Sequence, residues 1–92
     1  MSLVRFSSGL AACVLERGNP ACITDAGSAV QAARLAAEAA AYNVRINLPD
    51  IADAAERARL AREAGAALAA VRSEADRLAG IVETRLGEPW TR

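Results

Sequence analysis

Apolar residues recur at steps of three and four from the start of the chain: Leu3, Phe6, Leu10, Cys13 and Val14. That period places them on one face of a helix and predicts an amphipathic element over Ser2 to Arg17, despite Gly9. Gly18-Asn19-Pro20 should stop it, because glycine supplies the left-handed conformation that ends helices and proline cannot continue one. Thr24 is a good N-cap, and Asp25 in the first turn would meet the positive end of the helix dipole. A second helix is therefore expected from Thr24 to about Ile46. It carries small residues on most sides (Ala29, Ala32, Ala33, Ala36, Ala37, Ala39, Ala40, Ala41), so neighbours can approach it closely. Asn47-Leu48-Pro49-Asp50 marks the next break, since the residue before proline is pushed out of the helical region.

Asp53, with Glu56 three residues on, is a plausible cap for a third helix, and no proline interrupts the chain from there to Leu86. Ala61, Ala64, Leu68, Val71, Ala75, Leu78 and Val82 alternate steps of three and four, a coiled-coil-like seam with arginines and acids on the other faces. At 1.5 Å per residue such a helix is about 50 Å long. A compact chain of this size has a radius of gyration of about 12 Å. Either the molecule is elongated or the seam packs against a second chain. Gly87-Glu88-Pro89 ends the helix, leaving Trp90 to Arg92 as a tail. The fold expected is all-α, with antiparallel helical hairpins of about three helices, the last one long, packing as part of a helical dimer. Residues 1–92 read as one helical domain or half-domain.

Composition strengthens this picture. About a quarter of the chain is alanine, the strongest intrinsic helix former. Eleven basic residues, all arginine, balance eleven acids, and the signs are interleaved. Without a basic patch or interleaved aromatics, nucleic acid is not an expected partner. Charges interrupt every apolar run, so no membrane span is expected either, and the cytoplasm is the expected location. The absence of histidine removes Ser/His/Asp and Cys/His catalytic pairs and histidine-based metal sites. Any acid–base chemistry falls to carboxylates, and no metal site is expected. Cys13 and Cys22 lack metal or redox spacing and read as two reduced, buried thiols, with a disulfide between them as the alternative.

Candidate chemistry gathers at the two ends of the second helix. At 100° per residue Asn43 and Asn47 share a face near its C-terminus, where two carboxamides offer donors and acceptors to a planar heteroaromatic ligand. The same residues also suit capping of the helix and turn. Asp25 reads first as a dipole partner of the helix, with a proton-transfer role as the alternative. Arg45 could grip a carboxylate or simply lie in solvent.

The segment Gly18-Asn19-Pro20-Ala21-Cys22-Ile23-Thr24-Asp25-Ala26-Gly27, an alanine-rich helix, and then Ala41-Tyr42-Asn43-Val44-Arg45-Ile46-Asn47-Leu48-Pro49-Asp50-Ile51-Ala52-Asp53 resembles the C-terminal half of the formimidoyltetrahydrofolate cyclodeaminase/methenyltetrahydrofolate cyclohydrolase family. Its two-asparagine pattern falls on Asn43 and Asn47, and its Asn and Ser/Thr-Asp positions fall on Asn19, Thr24 and Asp25. Ala21 stands where the family usually has a second asparagine. The family's glycine-rich loop and the acidic residues of its N-terminal half are not found in the sequence.

The resemblance implies an all-α dimer acting on N5/N10-substituted tetrahydrofolate by proton shuttling, with a tetrahydrofolate derivative as substrate and no metal or redox cofactor. Asn43 and Asn47 would orient the pterin or the one-carbon group, Asp25 would assist, and Asn19 would shape the loop. The principal acid–base residue is expected outside this chain, on a partner carrying the N-terminal half. The competing reading is a non-catalytic helical interaction module that keeps the scaffold.

Overall fold

The structure is a computed structural model that describes residues 3–12 and 20–87. Among these residues the chain forms α1 (Leu3–Ala12), α2 (Pro20–Asn47), a short 3-10 turn (Leu48–Asp50) and α3 (Ala54–Leu86). The all-α class and the three-helix count agree with the periodicity. The proposed stop at Gly18-Asn19, the last residues of the first predicted helix, and the C-terminal tail lie outside the described residues.

One boundary moves. α2 begins at Pro20, not at Thr24. Proline fits the first position of a helix, where its missing N–H costs no hydrogen bond and its fixed φ is already helical. Thr24 is thereby an interior residue and no N-cap. Asp25 is the sixth residue of the helix and no longer sits in the first turn, which holds no acid.

The turn into α3 follows the sequence closely. Ile51 donates its N–H to the Leu48 carbonyl at 3.1 Å. Arg57 Nη1 donates to the Ile51 carbonyl at 2.6 Å, which ties α3 back to the turn. Asp53 caps α3 by accepting from the Ala55 N–H at 3.0 Å and from the Glu56 N–H at 3.4 Å, satisfying donors that the helix start leaves unpaired. Glu56 pairs with Arg59. At the other end Gly87 takes φ 86°, a left-handed value that closes the helix, and its N–H reaches the Glu83 carbonyl at 3.1 Å.

α2 and α3 form an antiparallel hairpin, and α1 lies across its open end. The molecule measures 54 × 30 × 15 Å with a radius of gyration of 16.7 Å, so the elongated option holds. The third-helix seam is an intrachain one. Ala75, Leu78 and Val82 are buried against Ile23, Ala26 and Val30 of α2, with Leu10 of α1 packed on both clusters. Ala64, Leu68 and Val71 continue the seam, half-buried, towards the turn. A seam that suggested a partner surface is thus largely consumed by the hairpin.

Gly27 packs closely against α3: a Cβ there would stand 3.1 Å from Val82 Cγ1. Cross-helix pairs reinforce the alignment. Arg72 grips Glu38 through Nε at 2.5 Å and Nη2 at 2.7 Å, and Arg34 Nη1 lies 2.9 Å from Asp76 Oδ1. The expectation of two reduced thiols is overturned: Cys22 is disulfide-bonded. Cys13 lies outside the described residues.

Candidate functional site

The turn end of the hairpin carries the candidate site. Asn43 and Asn47 stand one helical turn apart in the last stretch of α2, and both are exposed. They line a shallow depression of about 300 Å³ whose other walls are Val44, Leu48, Ile51 and Leu60. Three elements contribute: the end of α2, the 3-10 turn and the first turns of α3. Pro49 and the Asp53 cap fix the angle at which they meet. A second, apolar groove of about 320 Å³ runs on from Val44 between the helices, lined by Ala37, Ala40, Ala41, Ala64, Ala67, Leu68 and Val71. Small residues on facing helices leave this space open, because alanine cannot fill the gap between two backbones held apart by leucine and valine.

The two carboxamides are not equivalent. Asn47 Nδ2 donates to the Asn43 carbonyl at 2.7 Å, so Asn47 satisfies one of the last acceptors of α2. Its Oδ1 and the whole Asn43 carboxamide carry no hydrogen bond to the described residues. The depression therefore offers an apolar floor, an amide edge and no ionisable side chain in its lining. Such a surface can hold a flat heterocycle and orient it by donor–acceptor pairing. It cannot by itself move a proton.

Asp25 does not join this group. It is exposed on the second turn of α2 and lies 18 residues before Asn43 on one unbroken helix, a separation of about 27 Å at 1.5 Å per residue. Within one chain Asp25 and the asparagine pair cannot touch the same small ligand. Asn19 lies outside the described residues. Arg45 is exposed in the last turn of α2.

Sequence reasoning missed the hydrophobic walls Leu48, Ile51 and Leu60, which a helix-by-helix reading leaves in a turn and on a polar face. It also missed a polar link at the opposite end. Ser7 of α1 is buried; its Oγ donates to Glu74 Oε1 at 2.6 Å and accepts from Arg77 Nη2 at 2.7 Å. Hydrogen bonds from Arg77 and Ser7 hold the Glu74 carboxyl below its ordinary value. The Arg72 hydrogen bond does the same for Glu38, and Arg59 for Glu56. All three carboxylates lie in structural pairs, and none of them lines the depression.

Among the described residues no cluster of His, Cys, Asp and Glu could hold a metal ion. No described helix is long and apolar enough to cross a membrane. Compared with known sequence families, residues 6–66 match the family described as formiminotransferase-cyclodeaminase. That span includes the asparagine pair, all of α2, the turn and the first third of α3. Neither the curated proteins nor the solved structures provide a match.

Proposed function

Because the chain belongs to the formiminotransferase-cyclodeaminase family, we propose that its turn end contributes part of a tetrahydrofolate site, with Asn43 and Asn47 setting the orientation of the pterin or its one-carbon group. The observation that carries this reading is the depression itself: the two family-pattern asparagines form its polar edge, over Val44, Leu48, Ile51 and Leu60. The adjoining apolar groove extends the surface beyond the size of a single ring.

Two reactions suit the proposed ligand. In a cyclodeaminase step, N10 adds to the formimidoyl carbon on N5, N10 loses its proton, and the former imine nitrogen leaves as ammonia. In a cyclohydrolase step, water adds to the methenyl carbon and the N5 bond breaks to leave the formyl group on N10. Both need a proton acceptor beside the one-carbon unit and a donor for the leaving nitrogen. The depression supplies orientation, and the proton-transfer groups come from Asp25 of a second copy or from a partner chain carrying the acidic half of the site. A cytoplasmic setting belongs to the same proposal.

Isothermal titration of the full chain with tetrahydrofolate and its 5-formyl and 5,10-methenyl derivatives tests the binding claim. Binding is expected, with Asn43→Ala weakening it by about tenfold, in line with about 1–2 kcal/mol for a lost oriented hydrogen bond. Asn47→Ala should weaken it less, because part of that side chain is spent on the helix end. Absence of binding, or binding indifferent to both substitutions, removes this reading. The alternative, a helical interaction module, draws its support from the exposed face of α2 and from the lack of any ionisable group in the depression's lining.

A further inference from the structure

Cys22, in the first turn of α2, is disulfide-bonded. The sequence holds two cysteines, so within one chain the bond runs to Cys13, the residue that follows the last position of α1. The bridge therefore staples the end of α1 to the start of α2 and closes residues 13–22 into a ring.

What lies beside the bridge gives it a role. Ile23, the next residue along α2, is buried in a cluster with Ala26 and Val82. Leu10, in the last turn of α1, packs on that cluster and on Val30, Ala75 and Leu78, yet stays half-buried itself. Further back along α1 the attachment is polar, from Ser7 to Glu74 and Arg77. A helix of 10 residues is too short to be stable alone in water, so α1 depends on these attachments. Of the three, only the disulfide is made or broken by a change of redox conditions. Cys22 is half-buried and can be reached from solvent. The sequence has no third cysteine to exchange with the bridge, so the bond answers to external thiols.

We propose that this disulfide is a redox latch on α1. Closed, it clamps α1 over the open end of the hairpin; opened, it lets α1 lift away while α2 and α3 stay paired. Opening takes two electrons and two protons from a dithiol. One thiolate of the dithiol attacks a sulfur of the bridge, the S–S bond breaks, and the leaving cysteine sulfur takes up a proton. The second thiolate then attacks its own neighbour's mixed disulfide, releases the other cysteine as a thiol and leaves the reductant oxidised to a disulfide. A disulfide oxidant closes the latch by the same steps in reverse. Where external thiols keep cysteines reduced, disulfides that do form serve redox sensing or catalysis. In such a setting the latch rests open and an oxidant closes it. None of this depends on the folate reading above.

The packing confines the effect to α1. Val30, Ala75 and Leu78 are buried between α2 and α3, and the Arg72–Glu38 and Arg34–Asp76 pairs cross the same two helices. These contacts hold the hairpin without α1. With α1 lifted, the side of the Ile23, Ala26 and Val82 cluster that Leu10 covers opens to solvent.

Amide exchange of the full chain at neutral pH, oxidised and then treated with dithiothreitol, tests the latch. The oxidised protein should have the mass of one chain less two hydrogens. Reduction should lower the protection of α1 by at least about tenfold, the scale on which closing a short ring acts, and leave the centres of α2 and α3 little changed. Reoxidation should restore α1. Cys22→Ser and Cys13→Ser should each show the reduced pattern with or without dithiothreitol, which separates loss of the bond from any effect of the reagent. Equal protection of α1 in the two states overturns the proposal. So does protection lost through the whole chain on reduction, which would make the bridge a staple of the entire fold, or a disulfide found only between two chains.

Discussion

The two ends of the α2–α3 hairpin are built from the same alanine-rich helices, yet they differ in how they are held. At the open end three helices meet: Ile23, Ala26 and Val30 of α2 and Ala75, Leu78 and Val82 of α3 form the buried core, and the half-buried Leu10 of α1 packs against it. At the turn end only two helices face each other. Ala37, Ala40, Ala41, Ala64 and Ala67 leave a groove there, and the facing Leu68 and Val71 are only half-buried. The first end carries the stability, and the second presents a surface. This division matches a general rule that binding regions are drawn from the less tightly packed parts of a fold.

Truncating one leucine at each end gives the largest contrast. Leu78 is buried in the core, so Leu78→Ala should lose about 2–5 kcal/mol to transfer and cavity terms. A chain of this size has about 5–15 kcal/mol in total, so Leu78→Ala should melt at much lower temperature or fail to fold. Leu68→Ala removes the same atoms beside an existing groove and should cost about half as much. Chemical denaturation of both variants checks the order, and equal losses would mean that the two ends are packed alike.

One substitution made at each end should change sign. Gly27 faces α3, where a methyl group would press on Val82 at 3.1 Å. Gly27→Ala gains about 1 kcal/mol of helix propensity and meets an overpacking cost of about 1–3 kcal/mol, so a net loss near 1 kcal/mol is expected. Gly65 on α3 has nothing within 4 Å of the corresponding position. Gly65→Ala should therefore stabilise the chain by about 0.8–1 kcal/mol. Thermal melts of the two variants moving in the same direction would contradict the geometry.

How much of this could be read from the chain follows the same divide. The Asp53 cap, the Pro49 turn and the Gly87 ending were legible because each depends on a few neighbouring residues whose backbone preferences are strong. The seam from Ala64 to Val82 was legible as a seam, but its partner was not: periodicity shows that a face is apolar without saying what covers it. Here α2 covers it. The start of α2 was misplaced because Thr24-Asp25 is a good capping pair, yet Pro20 starts the helix one turn earlier. Asn43 and Asn47 were found through helical spacing, whereas Leu48, Ile51 and Leu60 come together only once the turn has folded. The grouping of Asp25 with the asparagines came from family order along the sequence, and a continuous 28-residue α2 keeps them apart within one chain.

The smallest effect expected concerns acid, and it again separates the ends. Glu74 is held below its ordinary value of 4.5 by Arg77 and Ser7, and Ser7 is the buried polar link from α1 to α3. A carboxylate whose folded pKa is depressed contributes stability that is present above the unfolded value and lost as pH falls through the folded one. As the pH drops below about 4.5, protonation of Glu74 should weaken the Arg77 pairing and loosen α1 from the hairpin. Glu38 is lowered by Arg72 in the same sense, so the α2–α3 alignment weakens over the same window. That hairpin still keeps Val30, Ala75 and Leu78 buried, whereas α1 loses its buried polar link to α3. Amide exchange followed from neutral pH into this range should show α1 losing protection before the centre of α2, after correction for the intrinsic pH dependence of exchange. Glu74→Gln should give α1 its low-pH protection already at neutral pH and flatten the dependence. If α1 keeps its protection through this window in the wild-type chain, the Ser7–Glu74–Arg77 link is not what holds α1 to the open end.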